Sequence, residues 1–167
     1  MTDTQPLNVL FLCTHNSARS ILSEGLLNHL GQGRFLGFSA GSQASGKVNP
    51  FALRALEDWH ISVEGLRSKN WDEFALPDAP KMDFIITVCD NAAGEVCPIW
   101  PGQPIAAHWG VPDPAAVQGS EEERRAAFRD ALVTLRRRVE LLIALPIEKL
   151  DRIARERGVR EIAEPSK

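Results

Sequence analysis

Cysteine, long apolar segments and targeting signals are scarce or absent in this sequence. The 167 residues include three cysteines, which we expect to be thiols and not a structural disulfide framework. The longest apolar run is far too short to span a bilayer. The opening residues, MTDTQP, carry no basic and apolar leader. We therefore expect a cytoplasmic protein that has no membrane segment.

Basic residues are also scarce in the N-terminal part of the chain. Residues 1–120 contain 7 Lys or Arg against 12 Asp or Glu, whereas residues 121–167 contain 12 against 10. An acidic surface disfavours nucleic acid, because proteins bind nucleic acid mostly through lysine and arginine on phosphates. Any anion must therefore be held by local donors, which favours a small, deeply bound oxyanion.

Short apolar runs alternate with helical patterns along the chain. The predicted strands are 7–12, 34–40, 83–88 and 105–109, and the predicted helices are 19–30, 50–59, one from Ser120 to Pro146, and 147–157. The last helix has Ile147, Leu150 and Ile153 on its apolar side, and the basic run 136–138 is interpreted as the solvated side of the helix before it. This alternation predicts one α/β domain, a three-layer sandwich with a central four-stranded parallel sheet. In such sheets ligands bind at the carboxyl ends of the strands.

The segment CTHNSARS, residues 13–20, lies between the first predicted strand and the first predicted helix, and we call it the oxyanion loop. A cysteine, five residues and an arginine in this place form a loop whose backbone N–H groups and helix N-terminus bind a tetrahedral oxyanion. The same field should favour the thiolate of Cys13 and make it a nucleophile. The alternative is that Cys13 is a small core residue and its spacing to Arg19 a coincidence. The predicted oxyanion-binding residues are Thr14, His15, Asn16, Ser17, Ala18, Arg19 and Ser20.

Two further cysteines follow the third predicted strand. Cys89 and Cys97 are separated by seven residues, a gap too wide for paired zinc ligands, and no second pair exists elsewhere. Cys89 is expected at the same sheet edge as Cys13, and small residues after it predict a mobile segment that brings thiols together for exchange. The alternative is a pair of half-buried cysteines that never meet.

Asp113 follows the fourth predicted strand and precedes Pro114, which keeps it out of a helix. At the same sheet edge its carboxyl group can donate a proton to a leaving oxygen. A turn aspartate without a chemical role is the equal alternative at this point.

Four motifs together resemble a known family: CTHNSARS (13–20), FSAG (38–41), VCDNAAGEVC (88–97) and HWGVPDPA (108–115). They resemble the arsenate reductases built on the low-molecular-weight protein tyrosine phosphatase fold, which is flavodoxin-like. The resemblance covers about residues 7–145. It implies a phosphatase-like arsenate reductase domain over residues 1–145 and a C-terminal helical extension over residues 146–167.

The resemblance implies a cascade of three thiols. Cys13 attacks arsenate, with Arg19 and the loop amides neutralising its oxygens and Asp113 assisting the loss of water. Cys89 then attacks Cys13 and releases arsenite, and Cys97 takes over Cys89. Thioredoxin, or a glutathione and glutaredoxin system, reduces the final disulfide. Phosphate and sulfate are expected to compete with arsenate, and no cofactor is expected.

Supporting residues also match the family. Ser20 matches a serine that steadies the nucleophilic thiolate, and Asn16 matches an asparagine that holds the shape of the loop. Some reductases bind a potassium ion near the loop, and Asn16, Glu24 and Ser39 match positions used there. Lys69 stands at the fourth position in place of an acidic residue. Potassium is the only metal that the resemblance brings into consideration, and Lys69 is a departure from the pattern of the reductases that bind it.

Two other functions compete with arsenate reduction. A phosphatase on the same fold makes the same first attack, but the phosphatases have aromatic residues after the Asp-Pro pair, where this chain has Ala115 and Ala116. A phosphatase also has no need of Cys89 and Cys97, although weak side activity on aryl phosphates is expected. A non-catalytic oxyanion or thiol sensor would report through those two cysteines and would leave Asp113 idle.

Overall fold

Four parallel strands form the centre of the fold in the computed structural model, which describes residues 5–89 and 103–163. The strands are β1 (Leu7–Cys13), β2 (Phe35–Gly41), β3 (Phe84–Thr87) and β4 (Ile105–His108), in the sheet order β2-β1-β3-β4. Each neighbouring pair is parallel, and Cys13 at the end of β1 pairs with Gly41 at the end of β2. The predicted four-stranded parallel sheet is confirmed, and its carboxyl ends share one edge.

Helices pack against the sheet and against one another. Within the described residues the α-helices are α1 (Arg19–Leu30), α2 (Pro50–Asp58), α3 (Glu121–Ala144) and α4 (Arg152–Glu161). Helix α1 contacts β2 and α3, α2 packs on α3, and α4 contacts β4. Side-chain caps set three of these helix starts: Asn49 caps α2, Ser120 forms a capping box with Glu123 at α3, and Asp151 caps α4.

The central strand β1 is buried on both faces, which explains its continuous apolar sequence. Val9 and Phe11 face the larger hydrophobic cluster, which includes residues of all four α-helices. Leu10 and Leu12 face a smaller cluster that the 3-10 helix Trp71–Phe74 covers. No helix in residues 5–89 and 103–163 has both the length and the apolarity needed to cross a membrane.

The C-terminal segment differs from the single helix predicted over 147–157. A 3-10 turn, Ile147–Lys149, comes first, and α4 begins only at Arg152 because the Asp151 side chain caps it by accepting a hydrogen bond from Ala154 N. Because α4 begins at Arg152 and not at Ile147, the side of the helix that faces the protein differs from the predicted one. Ile153, predicted to be on the buried side, is 72% exposed, and the buried contact of α4 is Val159.

Residues of α4 bind the sheet at β4 and just beyond it. Trp109 Nε1 donates a hydrogen bond of 2.9 Å to the carbonyl of Val159, and the indole is fully buried. Arg160 Nε donates to the carbonyl of Ala106, on β4, at 3.1 Å. The described part of the C-terminal extension therefore packs on the strand that leads to Asp113.

We expect Trp109→Phe to lower the free energy of unfolding by about 2–4 kcal/mol, because the Val159 carbonyl loses its buried donor and the smaller phenyl ring leaves part of the indole volume empty. Urea denaturation measures the loss. Trp59→Phe is the control, at a half-buried indole just after the end of α2, and should change stability by less than about 0.5 kcal/mol. Equal losses in the two variants would contradict a structural role for the Trp109 hydrogen bond.

Candidate active site

The oxyanion loop turns from β1 into α1 at the carboxyl edge of the sheet. Three of its carbonyl groups, those of Thr14, His15 and Ser17, accept hydrogen bonds of 2.8–3.1 Å from backbone N–H groups of segment 43–49. No backbone carbonyl in the described residues accepts a hydrogen bond from the N–H groups of residues 15–19. Because the carbonyls are bound outside the loop, these N–H groups and the N-terminus of α1 form a donor set for an oxyanion.

Asn16 fixes the shape of the loop from within. It is fully buried and has a φ of 48°, in the left-handed region that asparagine tolerates better than most residues. Its side-chain oxygen accepts from the backbone N–H of Lys69 at 2.9 Å, and its side-chain nitrogen donates to Ser20 Oγ at 2.7 Å. Asn16 thus joins the loop to the start of α1 and to the segment before the 3-10 helix.

The remaining loop side chains are divided between the surface and the interior. The His15 ring is exposed and lies 3.3 Å from the carbonyl of Gln43, which leaves its backbone amide as its contribution to the donor set. Ala18 is buried directly before α1 and gives that helix no side-chain cap. Ser17 is half-buried.

Gly41 makes room for the loop, a role that we did not predict from the sequence. A Cβ atom at this position would lie 2.5 Å from the carbonyl oxygen of Thr14 and 2.9 Å from both the carbonyl oxygen of Cys13 and the nitrogen of Asn16. Such contacts are too short for any side chain to be accepted without moving the loop backbone. The signal in the sequence is the glycine that ends FSAG.

Cys13 ends β1 beneath the loop and is buried. Its pKa is raised well above the ordinary value, first because the Cys89 side chain forms a hydrogen bond with it and second because burial disfavours the thiolate. Ser20 opposes this, through its hydroxyl group 2.9 Å from Cys13 Sγ and through its backbone N–H. The predicted preference of the loop for the Cys13 thiolate is therefore opposed by Cys89 and by burial, whereas Ser20 acts in its favour.

Cys89 lies just beyond β3 and is buried beside Cys13. Its Sγ is 3.7 Å from Thr14 Oγ1, so it also contacts the oxyanion loop. The parallel pairing of β1 with β3, which aligns Leu12 with Thr87, is what brings the two cysteines to one place. Cys97, the third thiol of the predicted relay, lies outside the described residues.

Arg19 and Asp113 face each other across the mouth of the loop. Arg19 donates from one guanidinium nitrogen to the carbonyl of Val111 at 2.9 Å, and its other terminal nitrogen is 3.8 Å from Asp113 Oδ2. The Asp113 side chain is 42% exposed and also caps the turn after it by accepting from Ala115 N at 2.9 Å. The guanidinium is thus oriented, and a carboxyl group stands next to it at the solvent side.

Arg138 holds the segment that leads to Asp113. Its guanidinium donates to the carbonyls of Trp109 and Gly110 at 2.8 and 3.0 Å, and the side chain is half-buried. The interpretation of the run 136–138 as solvated is wrong at this position, because the residue before buried Val139 turns back toward the sheet edge. Charge patterning alone gave no signal for this contact.

The side chains proposed to hold potassium already surround a cation of the protein itself. Glu24 Oε1 accepts from Ser39 Oγ at 2.6 Å and lies 3.6 Å from the ammonium of Lys69. Asn16 Oδ1 is occupied by the backbone N–H of Lys69. This donor set does not fit a free potassium ion, because a second positive charge would lie next to a buried ammonium. No group of three or more His, Cys, Asp or Glu side chains that could hold a metal ion is present in the part of the chain that the structure describes.

The arrangement supports nucleophilic attack on a tetrahedral oxyanion followed by thiol exchange. A sulfur lies beneath backbone N–H donors, a guanidinium and a carboxyl group stand at the mouth of the loop, and a second buried thiol lies beside the first. The second thiol distinguishes the site from one built for hydrolysis alone, because hydrolysis has no use for it.

Comparison with known proteins agrees with this geometry. The profile of a family described as low molecular weight phosphotyrosine protein phosphatase matches residues 8–157. An arsenate reductase of Halalkalibacterium halodurans is 38% identical over 126 residues, which are 72% of this chain and 84% of that protein. An arsenate reductase of Bacillus subtilis is 37% identical over 121 residues, with the same coverage of 72% and 84%. A solved arsenate reductase in a phosphate-binding state superposes with a TM-score of 0.64 at 29% identity, covering 83% of this chain and 97% of that one.

We expect Gly41→Ala to weaken phosphate binding by at least about tenfold, because the new Cβ displaces the Thr14 carbonyl and with it the loop amides. The measurement is the rise of Tm with phosphate, which reports binding to the native state. Gly65→Ala is the matched control: it strains a backbone with a φ of 80° but meets no atom within 4 Å. It should lower Tm and keep the phosphate response. A normal response in Gly41→Ala would contradict this role.

We expect Cys89→Ala to lower the pKa of the Cys13 thiol, because the largest cause that raises it is removed. The pH dependence of Cys13 alkylation, followed by peptide mass spectrometry, should move to lower pH. Ser20→Ala should move it to higher pH, because the serine hydroxyl lowers that pKa. A shift in the same direction for both variants would show that Cys89 is not the dominant influence.

Proposed function

This chain belongs to the low-molecular-weight phosphotyrosine protein phosphatase family, and we propose that within it the protein is an arsenate reductase that uses Cys13, Cys89 and Cys97 in sequence. The observation on which this depends most is the burial of the Cys89 side chain beside Cys13 at the floor of the oxyanion loop, where Cys89 is the first cause that raises the Cys13 pKa. The curated relatives that match over 84% of their length are arsenate reductases, which supports the same substrate here.

The first step is attack of the Cys13 thiolate on arsenic of bound arsenate. A sulfur–arsenic bond forms and an arsenic–oxygen bond breaks, and Asp113 gives a proton to the departing oxygen so that water leaves. Arg19 and the amides of residues 15–19 bind the remaining oxygens. Phosphate and sulfate have the same tetrahedral shape and compete for this donor set.

The second step is reduction. The Cys89 thiolate attacks Cys13 Sγ, the sulfur–arsenic bond breaks, and its electron pair stays on arsenic, which leaves as arsenite. The product in the protein is a Cys13–Cys89 disulfide. The two sulfurs need little movement for this, because Cys89 is already buried beside Cys13 and contacts Thr14.

The third step regenerates the nucleophile. The Cys97 thiolate attacks Cys89, releases the Cys13 thiolate and forms a Cys89–Cys97 disulfide, which an external dithiol reduces with two electrons. We propose thioredoxin as that dithiol, with a glutaredoxin system as the alternative. We assign the reaction to residues 1–145 and a stabilising role to the extension 146–167, since Trp109 and Ala106 bind α4 next to the segment that leads to Asp113.

Hydrolysis of phosphotyrosine is the less favoured function. The turn Pro114–Ala116 that follows Asp113 presents two exposed alanines, and neither can stack on a phenol ring. Slow hydrolysis of a small aryl phosphate is still expected, because its first step needs only Cys13, Arg19 and Asp113.

We expect Cys89→Ser and Cys97→Ser each to abolish multiple-turnover arsenate reduction while hydrolysis of an aryl phosphate continues. The relay loses its second or third thiol, but the nucleophile and the loop remain. Arsenate-dependent NADPH oxidation with thioredoxin and thioredoxin reductase measures the first activity, and a glutaredoxin-coupled assay tests the other reductant.

Cys13→Ser is the control, and it should lose both activities. Full reduction by Cys89→Ser or Cys97→Ser with thioredoxin would show that the relay is wrong. Absence of turnover by the native protein with either reductant would favour a phosphatase if the aryl phosphate is hydrolysed, and a sensor if it is not.

A further inference from the structure

Lys69 is a lysine whose charged end is buried under the oxyanion loop. Its side chain is 6% exposed, and the Glu24 side chain that it faces is 12% exposed. The ammonium nitrogen lies 3.6 Å from Glu24 Oε1 and donates a hydrogen bond of 2.9 Å to the carbonyl of Arg67. The same carboxylate oxygen accepts from Ser39 Oγ on β2. An ammonium, a carboxylate and a hydroxyl group therefore form one buried cluster between α1 and β2.

The backbone of Lys69 holds the loop directly. Its N–H donates to Asn16 Oδ1 at 2.9 Å, and its carbonyl accepts from Gly41 N at 2.9 Å. Asn16 is the loop residue with a positive φ, and Gly41 is the residue against which the loop backbone packs. One residue thus binds the loop and the end of β2 through its backbone, and α1 through its side chain.

The buried carboxylate requires a positive charge in this place. Burial raises the pKa of Glu24, and the charge of Lys69 together with the Ser39 hydroxyl group acts against that rise. The pKa of Lys69 is lowered by burial, and Glu24 acts in the opposite direction. Arg67 and Glu73, the other charged groups that act on this pair, are bound to each other at 2.8 Å on the surface. The Lys69 ammonium is therefore the charge that balances Glu24 from inside the fold.

We propose that the Lys69 ammonium is the fixed cation of this cluster and replaces a dissociable potassium ion, so that the shape and anion affinity of the oxyanion loop do not depend on alkali cations. A covalently attached charge cannot be lost by dilution, and its backbone already places Asn16 and Gly41. Lys69 acts through these neighbours as a positioning residue. Its role is independent of which oxyanion reacts, because it concerns how the loop is held.

Salt replacement tests this role in the purified full-length protein. Tm and phosphate affinity are measured in potassium chloride and in choline chloride at equal ionic strength. The native protein should give the same values in both salts. Lys69→Gln should lower Tm in choline chloride by about 10 °C, because it leaves a buried carboxylate without its partner. Potassium should restore part of that loss and part of the phosphate affinity, since the vacated space is lined by oxygen atoms.

Two further variants keep the test decisive. Lys81→Gln removes an exposed lysine outside the site and should behave like the native protein in both salts. Glu24→Gln with Lys69→Met removes both charges and should show no response to potassium, even if Lys69→Gln alone fails to fold. A native protein whose Tm or phosphate affinity rises in potassium relative to choline would overturn the proposal. So would a Lys69→Gln variant that keeps native Tm in choline chloride, or a double variant that responds to potassium.

Discussion

The shape of the oxyanion loop depends on where its carbonyl groups are bound. A peptide unit has its N–H and C=O on opposite sides, so a carbonyl that is held outside the loop directs the N–H of the next residue inward. Segment 43–49 supplies the outer donors for Thr14, His15 and Ser17. The anion site is therefore built by the connection between β2 and α2 as much as by the loop itself. A donor set of backbone N–H groups needs few charged side chains, which suits a small oxyanion on the acidic part of the chain.

The position of the second thiol gives the site a further constraint. Two buried thiols that lie side by side favour a single negative charge, and Ser20 and Cys89 act on the Cys13 pKa in opposite directions. The fold thus keeps the thiols of Cys13 and Cys89 side by side, at the cost of a less acidic Cys13.

The elements of the sheet and the loop were predictable from the sequence because each has a local signal. β1 is a continuous apolar run, α1 has a helical stripe that ends at Gly31, and the cysteine–arginine spacing lies between them. Arg138 and Gly41 were not predicted as parts of the site, since their roles come from contacts with residues distant in the chain. The predicted start of α4 was wrong for a more local reason. Asp151 caps the helix, and in the sequence an aspartate in a polar segment cannot be told from an ordinary surface residue.

The packing of α4 also affects self-association of the protein. β4 lies at one end of the sheet order, and a strand in that place offers unpaired backbone groups to any passing extended chain. Arg160 occupies the carbonyl of Ala106 on this strand, and the body of the helix lies against it. Helix α4, whose outer surface is charged, thus shields the edge strand β4. Without it, another chain could add a strand there and aggregation could follow.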